Sequence, residues 1–395
     1  MMLIGCVGKP SVGKSTLFKA CTLAEVEIAA YPFTTIKPNR AVGFVRIDCV
    51  DKDFDKQCHP RMGFCIDHQR FVPVEMLDVA GLVPGAHEGK GLGNQFLDDL
   101  RQADVLIHVV DASGSTNEKG ENVTPLSYDP CKDIEFLEYE IDMWYLGLLK
   151  KGWDKFVRQY TVEKEALYKA IAKQLSGLNV TEDLAKKVLL HFNPDLKLWT
   201  EGDLISLAKT FRKLTKPLII AANKIDVPGA EKNIQRLRQT FPDHLLIPCA
   251  ADAELALRSA AKNHLISYLP GDATFKIIGN LNESQKNALN LIQTQILDVF
   301  GSTGVQAVLN KSVFDLLHYI AIYPGGVNNL VDSQGRILPD CFLMKLGSTS
   351  LDFAYKLHTD FGKNFIRAID VKKRLTVGKE YVLKHRDVLE IVTNR

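Results

Sequence analysis

Gly8-Lys-Pro-Ser-Val-Gly-Lys-Ser15 stands directly after the apolar run Met2-Leu-Ile-Gly-Cys-Val7, and it matches G-x-x-x-x-G-K-[ST] at every fixed position. An apolar run before it reads as a buried strand. Leu17, Phe18, Ala20, Cys21 and Leu23 after it read as a helix. Gly8 and Gly13 let the backbone curl around an anion, and successive N–H groups then point inward at the positive end of the helix. Lys14 is placed to reach the β- and γ-phosphates, and the Ser15 hydroxyl to ligate Mg²⁺. The intervening Lys9, Pro10, Ser11 and Val12, with Thr16, complete the expected phosphate loop. An α/β nucleotide-binding fold follows.

The 395 residues imply two or three domains. With 46% hydrophobic and 24% charged residues the chain builds ordinary cores and is not disordered. A net charge of +2 shows no overall polyanion bias, so any basic surface is local. No secretory signal and no membrane-length apolar run is read, and a cytoplasmic protein without a membrane partner is expected.

Further motifs narrow the ligand. Asp78-Val-Ala-Gly81 follows the strand-like Phe71-Val-Pro-Val-Glu-Met-Leu77. An Asp there holds Mg²⁺ through water, and the Gly81 N–H donates to the γ-phosphate. Tyr31-Pro-Phe-Thr-Thr35 lies after the first helix, and Thr35, rather than Thr34, is expected to complete the Mg²⁺ shell. Asn223-Lys-Ile-Asp226 follows the buried run Pro217-Leu-Ile-Ile-Ala-Ala222. The Asp226 carboxylate accepts from guanine N1–H and the 2-amino group together, whereas adenine offers neither donor. An unpaired buried polar group costs about 1–3 kcal/mol, and more when charged. Lys224 is expected along the base plane and Asn223 as a tie to the phosphate loop. In Pro248-Cys-Ala-Ala251, the N–H near Ala251 is a candidate donor to guanine O6, with Ala250 where a Ser is usual.

Leu82 stands where many GTPases carry the Gln that orients the attacking water, so intrinsic hydrolysis is expected to be slow, or to use another group or an activator. Five glycines between Gly81 and Gly93 mark a switch segment. His87 within it, and His108 in Asp104-Val-Leu-Ile-His-Val-Val-Asp111, are candidate catalytic groups beside structural readings.

Eight cysteines (6, 21, 49, 58, 65, 131, 249, 341) include no C-x-x-C pair, which points to reduced thiols. Cys58, His59, Cys65 and His68 form one cluster whose readings are a hairpin with free thiols, a zinc site or a disulfide; the spacing is not that of a common finger.

Between Asp111 and Pro217 the nucleotide fold is interrupted. Ser113 to Pro130 reads as loop. Ile134, Leu137, Ile141, Tyr145 and Leu148 share one helical face, and Ala166, Leu167, Ala170 and Ile171 another. Ala185–Leu190 and Leu204–Phe211 are helical too. Trp144, Trp153 and Trp199 fall in this insertion and read as core. Glu283–Phe300 and Lys311–Tyr319 are further helical patterns. From Ile320 the chain is β-rich: Leu330–Leu338 reads as a hairpin, Gly347–Asp352 as a helix start with a Thr349/Asp352 cap, and Val388–Val392 as a last strand.

Gly8-Lys-Pro-Ser-Val-Gly-Lys-Ser-Thr-Leu-Phe18, Tyr31-Pro-Phe-Thr-Thr-Ile-Lys-Pro-Asn39, Asp78-Val-Ala-Gly-Leu-Val-Pro-Gly-Ala86, Gly91-Leu-Gly-Asn-Gln-Phe96 and His108-Val-Val110 together resemble the YchF subfamily of Obg-type GTPases, which includes the Obg-like ATPases. Leu338-Pro-Asp340, Gly347-Ser-Thr, Leu351-Asp-Phe-Ala-Tyr355 and His358-Thr-Asp360 extend the likeness to a TGS domain, so nearly the whole chain is covered. The resemblance implies an α/β P-loop NTPase G domain (1–118 and 215–270), an inserted α-helical domain (119–214), a helical connector (271–318) and a C-terminal β-grasp TGS domain (319–395). It implies a hydrophobic residue in place of the catalytic Gln, as Leu82 is, and makes His108 the compensating candidate. Many members end the base motif in Glu and prefer ATP; Asp226 resembles the GTP-reading branch, and the Cys58/Cys65 insertion resembles the archaeal variety. Ser11 stands where potassium-dependent relatives use Asn, so no potassium activation is expected.

The expectation is a Mg²⁺-dependent GTPase switch with GTP/GDP as ligand. TGS domains suggest ribosome or RNA contact. From Tyr319 onward there are twelve Lys/Arg against eight Asp/Glu, densest at Lys372-Lys-Arg374; an ordinary solvated face is the other reading. Alternatives are an ATPase of the same family and a nucleotide-gated RNA-binding module with incidental hydrolysis.

Overall fold

The computed structural model describes residues 2–22, 39–79, 85, 93–153, 156–158, 160 and 166–394, with 93–95 as backbone only. Thr34, Thr35, Gly81, Leu82, His87 and most of the 81–93 glycine-rich segment lie outside the described residues.

Three runs of consecutive apolar residues build the centre of the first sheet. Strands β1 (Leu3–Val7), β5 (Val105–Asp111) and β6 (Leu218–Asn223) are buried at every position, as parallel strands covered by helices on both faces must be. β1 pairs in parallel with β4 (Gln69–Asp78) on one side and β5 on the other; β6 joins β5, and β7 (Leu245–Pro248) closes that edge. β2 (Arg40–Asp48) and the short β3 (Phe64–Ile66) run antiparallel to β4. The order is β2-β4-β1-β5-β6-β7 with β3 beside β4. The turn after β1 leads into α1 (Lys14–Thr22), which buries Leu17, Ala20 and Cys21.

Helix α2 (Gly93–Gln102) precedes β5. Between β5 and β6 lie α3 (Cys131–Lys150), α4 (Leu167–Gln174), α5 (Glu182–Leu189) and α6 (Glu201–Thr215). Thr200 and Asp203 cap α6 reciprocally. α3 docks on α6 through apolar side chains and through Arg212, whose Nη1 and Nε lie 2.8 Å from Glu138 and from Asp142. Trp144 is buried, and Trp153 stacks on Trp199 with ring centroids 5.7 Å apart. All three tryptophans pack with the cluster that fills the space between sheet and insertion.

After β6 come α7 (Ala230–Thr240) and α8 (Ala251–Lys262). A two-stranded ribbon (β8, Ile266–Ser267; β9, Lys276–Ile277) leads to α9 (Glu283–Ile292), begun by an Asn282/Gln285 capping box. The helix expected at Lys311–Tyr319 is displaced: α10 spans Val305–Lys311, a π-turn follows over Ser312–Leu316, and Tyr319 already opens β10 (Tyr319–Pro324). The apolar face continues across the π-turn, which is why the pattern alone ran on.

The C-terminal sheet has the order β11-β10-β14-β12-β13, with β11 (Phe342–Lys345), β12 (Phe365–Asp370), β13 (Leu375–Val377) and β14 (Asp387–Thr393). β10 and β14 are parallel and the other pairs antiparallel. Helix α11 (Ser350–Leu357), with the full Thr349/Asp352 box, sets Phe353 against Ile320, Ile322, Met344 and Leu389. This sheet shares a core with the first: Ala321, Tyr323, Leu338 and Val388 lie in the same apolar cluster as Val45, Cys49, Val72 and Val308. No helix among the described residues is long and apolar enough to cross a membrane.

Candidate nucleotide site

The phosphate loop is held from behind by Asn223. Its Nδ2 donates to the Val12 carbonyl at 2.9 Å, and its Oδ1 accepts from the Ala251 N–H at 3.0 Å. One buried side chain thus joins the phosphate loop, the base motif and the start of α8. Gly13 has φ +90°, and a Cβ there would lie 2.2 Å from Asn223 Nδ2, so both conformation and space require glycine. A Cβ on Gly8 would lie 2.6 Å from the Val109 carbonyl oxygen. Ser11 is in the left-handed region at φ +65°.

Lys14 opens α1 and ion-pairs with Asp78 at the end of β4. Ser15 Oγ lies 3.4 Å from Asp78 Oδ2, and Thr16 follows half-buried in the same turn. A hydroxyl and a carboxylate side by side are the hard oxygen donors that suit Mg²⁺, Ser15 directly and Asp78 through water. Thr35 and Gly81, their expected companions, lie outside the described residues.

Lys9 is not aimed at a phosphate. It is buried, its Nζ lies 2.8 Å from Asp133 on α3, it donates to the Thr116 carbonyl at 2.9 Å, and it sits 3.8 Å over the Tyr128 ring. Burial lowers the pKa of Lys9 and raises that of Asp133. A Cβ on Gly120 would meet Pro10 at 2.7 Å, so the 113–120 loop rests directly on the phosphate loop. The phosphate loop is therefore braced by the segment inserted after β5.

The same segment braces the base motif. Lys224, at φ +65°, donates to Asp111 Oδ2 at 2.9 Å. Burial pushes the Asp111 carboxyl up, but hydrogen bonds from Ser113, Lys224 and Thr116 outweigh it and hold its pKa below the usual value. Asp226 is exposed at the mouth of this loop. The expected guanine O6 donor is corrected: the Ala251 N–H is taken by Asn223, and the Ala250 N–H donates to the Thr303 carbonyl at 2.9 Å. Sequence reasoning missed Asp111, Ser115 and Thr116 as supports of Lys224. Their polar run after a buried strand was the available signal.

His108 does not join the phosphate loop. It is 2% exposed, shares the strand face of Leu106 and Val110, and has an Nδ1 without a partner among the described residues. Burial lowers its pKa to about 3, and the titratable groups that face it are Glu138, His244 and Lys9. The structure places His108 as a buried imidazole on the strand face toward the inserted helices, and Leu82, whose role it would take over, lies outside the described residues.

The cysteine candidates are also rearranged. All eight thiols are free in the structure, and Cys58 Sγ lies 3.5 Å from Cys49 Sγ. His59 is exposed, whereas Cys49 and Asp51 are drawn in beside Cys58 and Cys65.

Comparisons with known proteins agree with this geometry. Residues 3–135 match the model for a 50S ribosome-binding GTPase, 221–327 that for the Obg-like GTPase YGR210-like, G4 motif-containing domain, and 334–393 the TGS domain. An uncharacterized GTP-binding protein of Methanocaldococcus jannaschii is 50% identical over 100% of this chain and 99% of its own length. The crystal structure of a GTP-binding protein from Pyrococcus horikoshii superposes with a TM-score of 0.79 at 40% identity, covering 100% of both chains. A ribosome-binding ATPase YchF from Buchnera aphidicola is 27% identical over 99% of this chain and 98% of its length. With the phosphate loop, the Asp78 partner and the Asn223–Asp226 loop joined in one site, and a TGS domain sharing their core, the chain belongs to the Obg-like, YchF-related family of P-loop GTPases.

Proposed function

We propose that this protein binds guanine nucleotide with Mg²⁺, hydrolyses GTP slowly, and uses the two nucleotide states to regulate contact with the ribosome or its RNA. The observation that carries the guanine reading is the Asn223–Asp226 loop, fixed to the phosphate loop through Val12 and to Asp111 through Lys224, with the Asp226 carboxylate exposed at its mouth. That carboxylate pairs with N1–H and the 2-amino group of guanine and meets no donor on adenine.

In hydrolysis, water attacks the γ-phosphorus and the electron pair of the breaking bond leaves with the β-phosphate oxygen. Lys14 exchanges its Asp78 partner for the phosphates, and the backbone N–H groups of residues 8–15 hold the charge that develops. Ser15, and Asp78 through water, would hold Mg²⁺, which would supply neutralisation of phosphate charge. The roles of Thr35 as a Mg²⁺ ligand and of Gly81 as a γ-phosphate donor rest on their motifs. With Leu82 unable to orient water, turnover is slow without an activator.

Support for a ribosomal partner comes from the TGS domain and from relatives named as ribosome-binding. Competition between GTP and ATP for the Mg²⁺-loaded protein, with ribosome co-sedimentation in each nucleotide state, tests both halves. Preference for GTP and sedimentation that changes with nucleotide support the reading. Equal or better ATP binding moves it to the ATPase relatives, and nucleotide-independent sedimentation removes the switch.

A further inference from the structure

Away from the nucleotide, residues 49–70 gather four groups of a different chemistry. Cys49 follows β2, Asp51 lies in the 3-10 turn Val50–Phe54, Cys58 comes from the next loop, and Cys65 from β3. Their three Sγ atoms and one carboxylate oxygen all lie within 4.8 Å of one another. Cys49 Sγ is 3.5 Å from Cys58 Sγ, and Cys65 Sγ is 3.8 Å from Asp51 Oδ2. A tetrahedral zinc ion with bonds of about 2.3 Å to sulfur and about 2.0–2.2 Å to oxygen needs ligand-to-ligand edges of roughly 3.5–3.8 Å. Both measured edges have that length before any ion draws the groups together.

The surroundings point the same way. His68 Nδ1 holds the other oxygen of Asp51 at 2.9 Å, and the Cys58 N–H donates to Oδ2 at 2.9 Å. This outer hydrogen bonding orients a ligating carboxylate. Arg70 is 1% exposed; its Nη1 lies 3.4 Å from Cys58 Sγ, and its remaining bonds go to the Leu338 and Pro339 carbonyls. Among the described residues it has no carboxylate ion-pair partner. A buried cation needs a counter-charge, and three thiolates with a carboxylate around a divalent ion supply one.

We propose that Cys49, Cys58, Cys65 and Asp51 bind one zinc ion, which fastens the 49–70 segment of the nucleotide domain to the C-terminal domain. Thiolates select a soft divalent ion and exclude Mg²⁺ from this position. The segment is already laid along 337–340: the His59 N–H donates to the Ile337 carbonyl at 2.8 Å, the Arg61 N–H to the Pro339 carbonyl at 2.9 Å, and Arg61 ion-pairs with Asp340. The ion fixes the loop that makes those bonds.

The test is elemental analysis of the full chain purified under reducing conditions without chelator, followed by chelation and addition of Co²⁺. One equivalent of zinc per chain, and the intense visible absorption of tetrahedral cobalt thiolate on reloading, are expected. Cys65→Ser, at the half-buried corner of the set, loses the cobalt spectrum, and His59→Ala keeps it; GTP binding by both variants reports that they are folded. If Cys65→Ser does not fold, the wild-type measurements decide alone. A reduced, nucleotide-binding wild-type chain that carries no stoichiometric zinc and gives no cobalt thiolate spectrum overturns the proposal, as does a Cys49–Cys58 disulfide found by mass in the freshly isolated protein.

Discussion

Lys14 and Asp78 are ion-paired across the strand-to-helix junction. The cation meant for the phosphates and the carboxylate meant for Mg²⁺ neutralise each other when neither ligand is present. Binding GTP with Mg²⁺ separates them and gives each a new partner. Asp78→Asn releases Lys14 while removing the metal's carboxylate. Nucleotide affinity in chelator then stays equal or rises, and the gain in affinity that Mg²⁺ confers on wild type falls by roughly tenfold or more, a change of about 1.4 kcal/mol or greater. GTP titrations with and without Mg²⁺ check this. An unchanged Mg²⁺ effect contradicts it.

Asn223 is the single tie between the Val12 carbonyl and the Ala251 N–H. Asn223→Ala leaves two buried backbone groups unsatisfied, each costing about 1–3 kcal/mol. Nucleotide affinity falls by tenfold to a hundredfold, with a lowered Tm. Gly13→Ala does comparable damage, because its Cβ takes the space of the same amide.

His108 is buried neutral, with its pKa lowered to about 3 from 6.5. Between those values the unfolded chain binds the proton and the folded chain does not. The stability it confers is whole above about pH 6.5 and is lost as pH falls toward 3. Glu138, lowered to about 2 from 4.5, adds loss in the same direction at more acidic pH. His108→Leu therefore flattens the decline in Tm between pH 6.5 and 5, relative to wild type. Reduced GTP turnover in the folded variant supports the catalytic reading of His108, and unchanged turnover removes it.

Glu254 is 0% exposed. It pairs with Arg258 on the next turn of α8 and accepts from Tyr268 and Thr303. Glu254→Ala removes the carboxylate that buried Arg258, Tyr268 and Thr303 share, at about 1–3 kcal/mol for a buried donor left unsatisfied, read as the shift in denaturant midpoint. Since Thr303 also receives the Ala250 N–H, the loss reaches the base loop, and nucleotide affinity weakens with stability.

The buried central strands β1, β5 and β6 were legible because each is a short apolar run bounded by a motif. The phosphate loop, Asp78 and Asn223 were legible because one chemistry demands those residues in that order. What escaped the sequence is long-range. Lys9 looks like a phosphate ligand until α3 brings Asp133 beside it, more than a hundred residues later. His108 has a catalytic residue type, but strand alternation turns it toward the inserted helices. Cys49 and Asp51 lie outside the compact Cys58–His68 window, and only the return of β3 and β4 beside β2 places them with Cys65. The end of α10 was misplaced because a π-turn carries an apolar face on without helical spacing.

The most direct test of the central claim exchanges the hydrogen-bonding face of residue 226. GTP, ATP and XTP are titrated against wild type and Asp226→Asn in Mg²⁺. Xanthine carries a carbonyl where guanine carries the 2-amino group, so an amide side chain complements it and a carboxylate does not. Wild type is expected to prefer GTP, and Asp226→Asn to lose roughly a hundredfold in GTP affinity, as expected for two charge-assisted hydrogen bonds, while gaining affinity for XTP. If wild type binds ATP as well as GTP, and the substitution moves neither GTP nor XTP, Asp226 does not read the base and the guanine switch is contradicted.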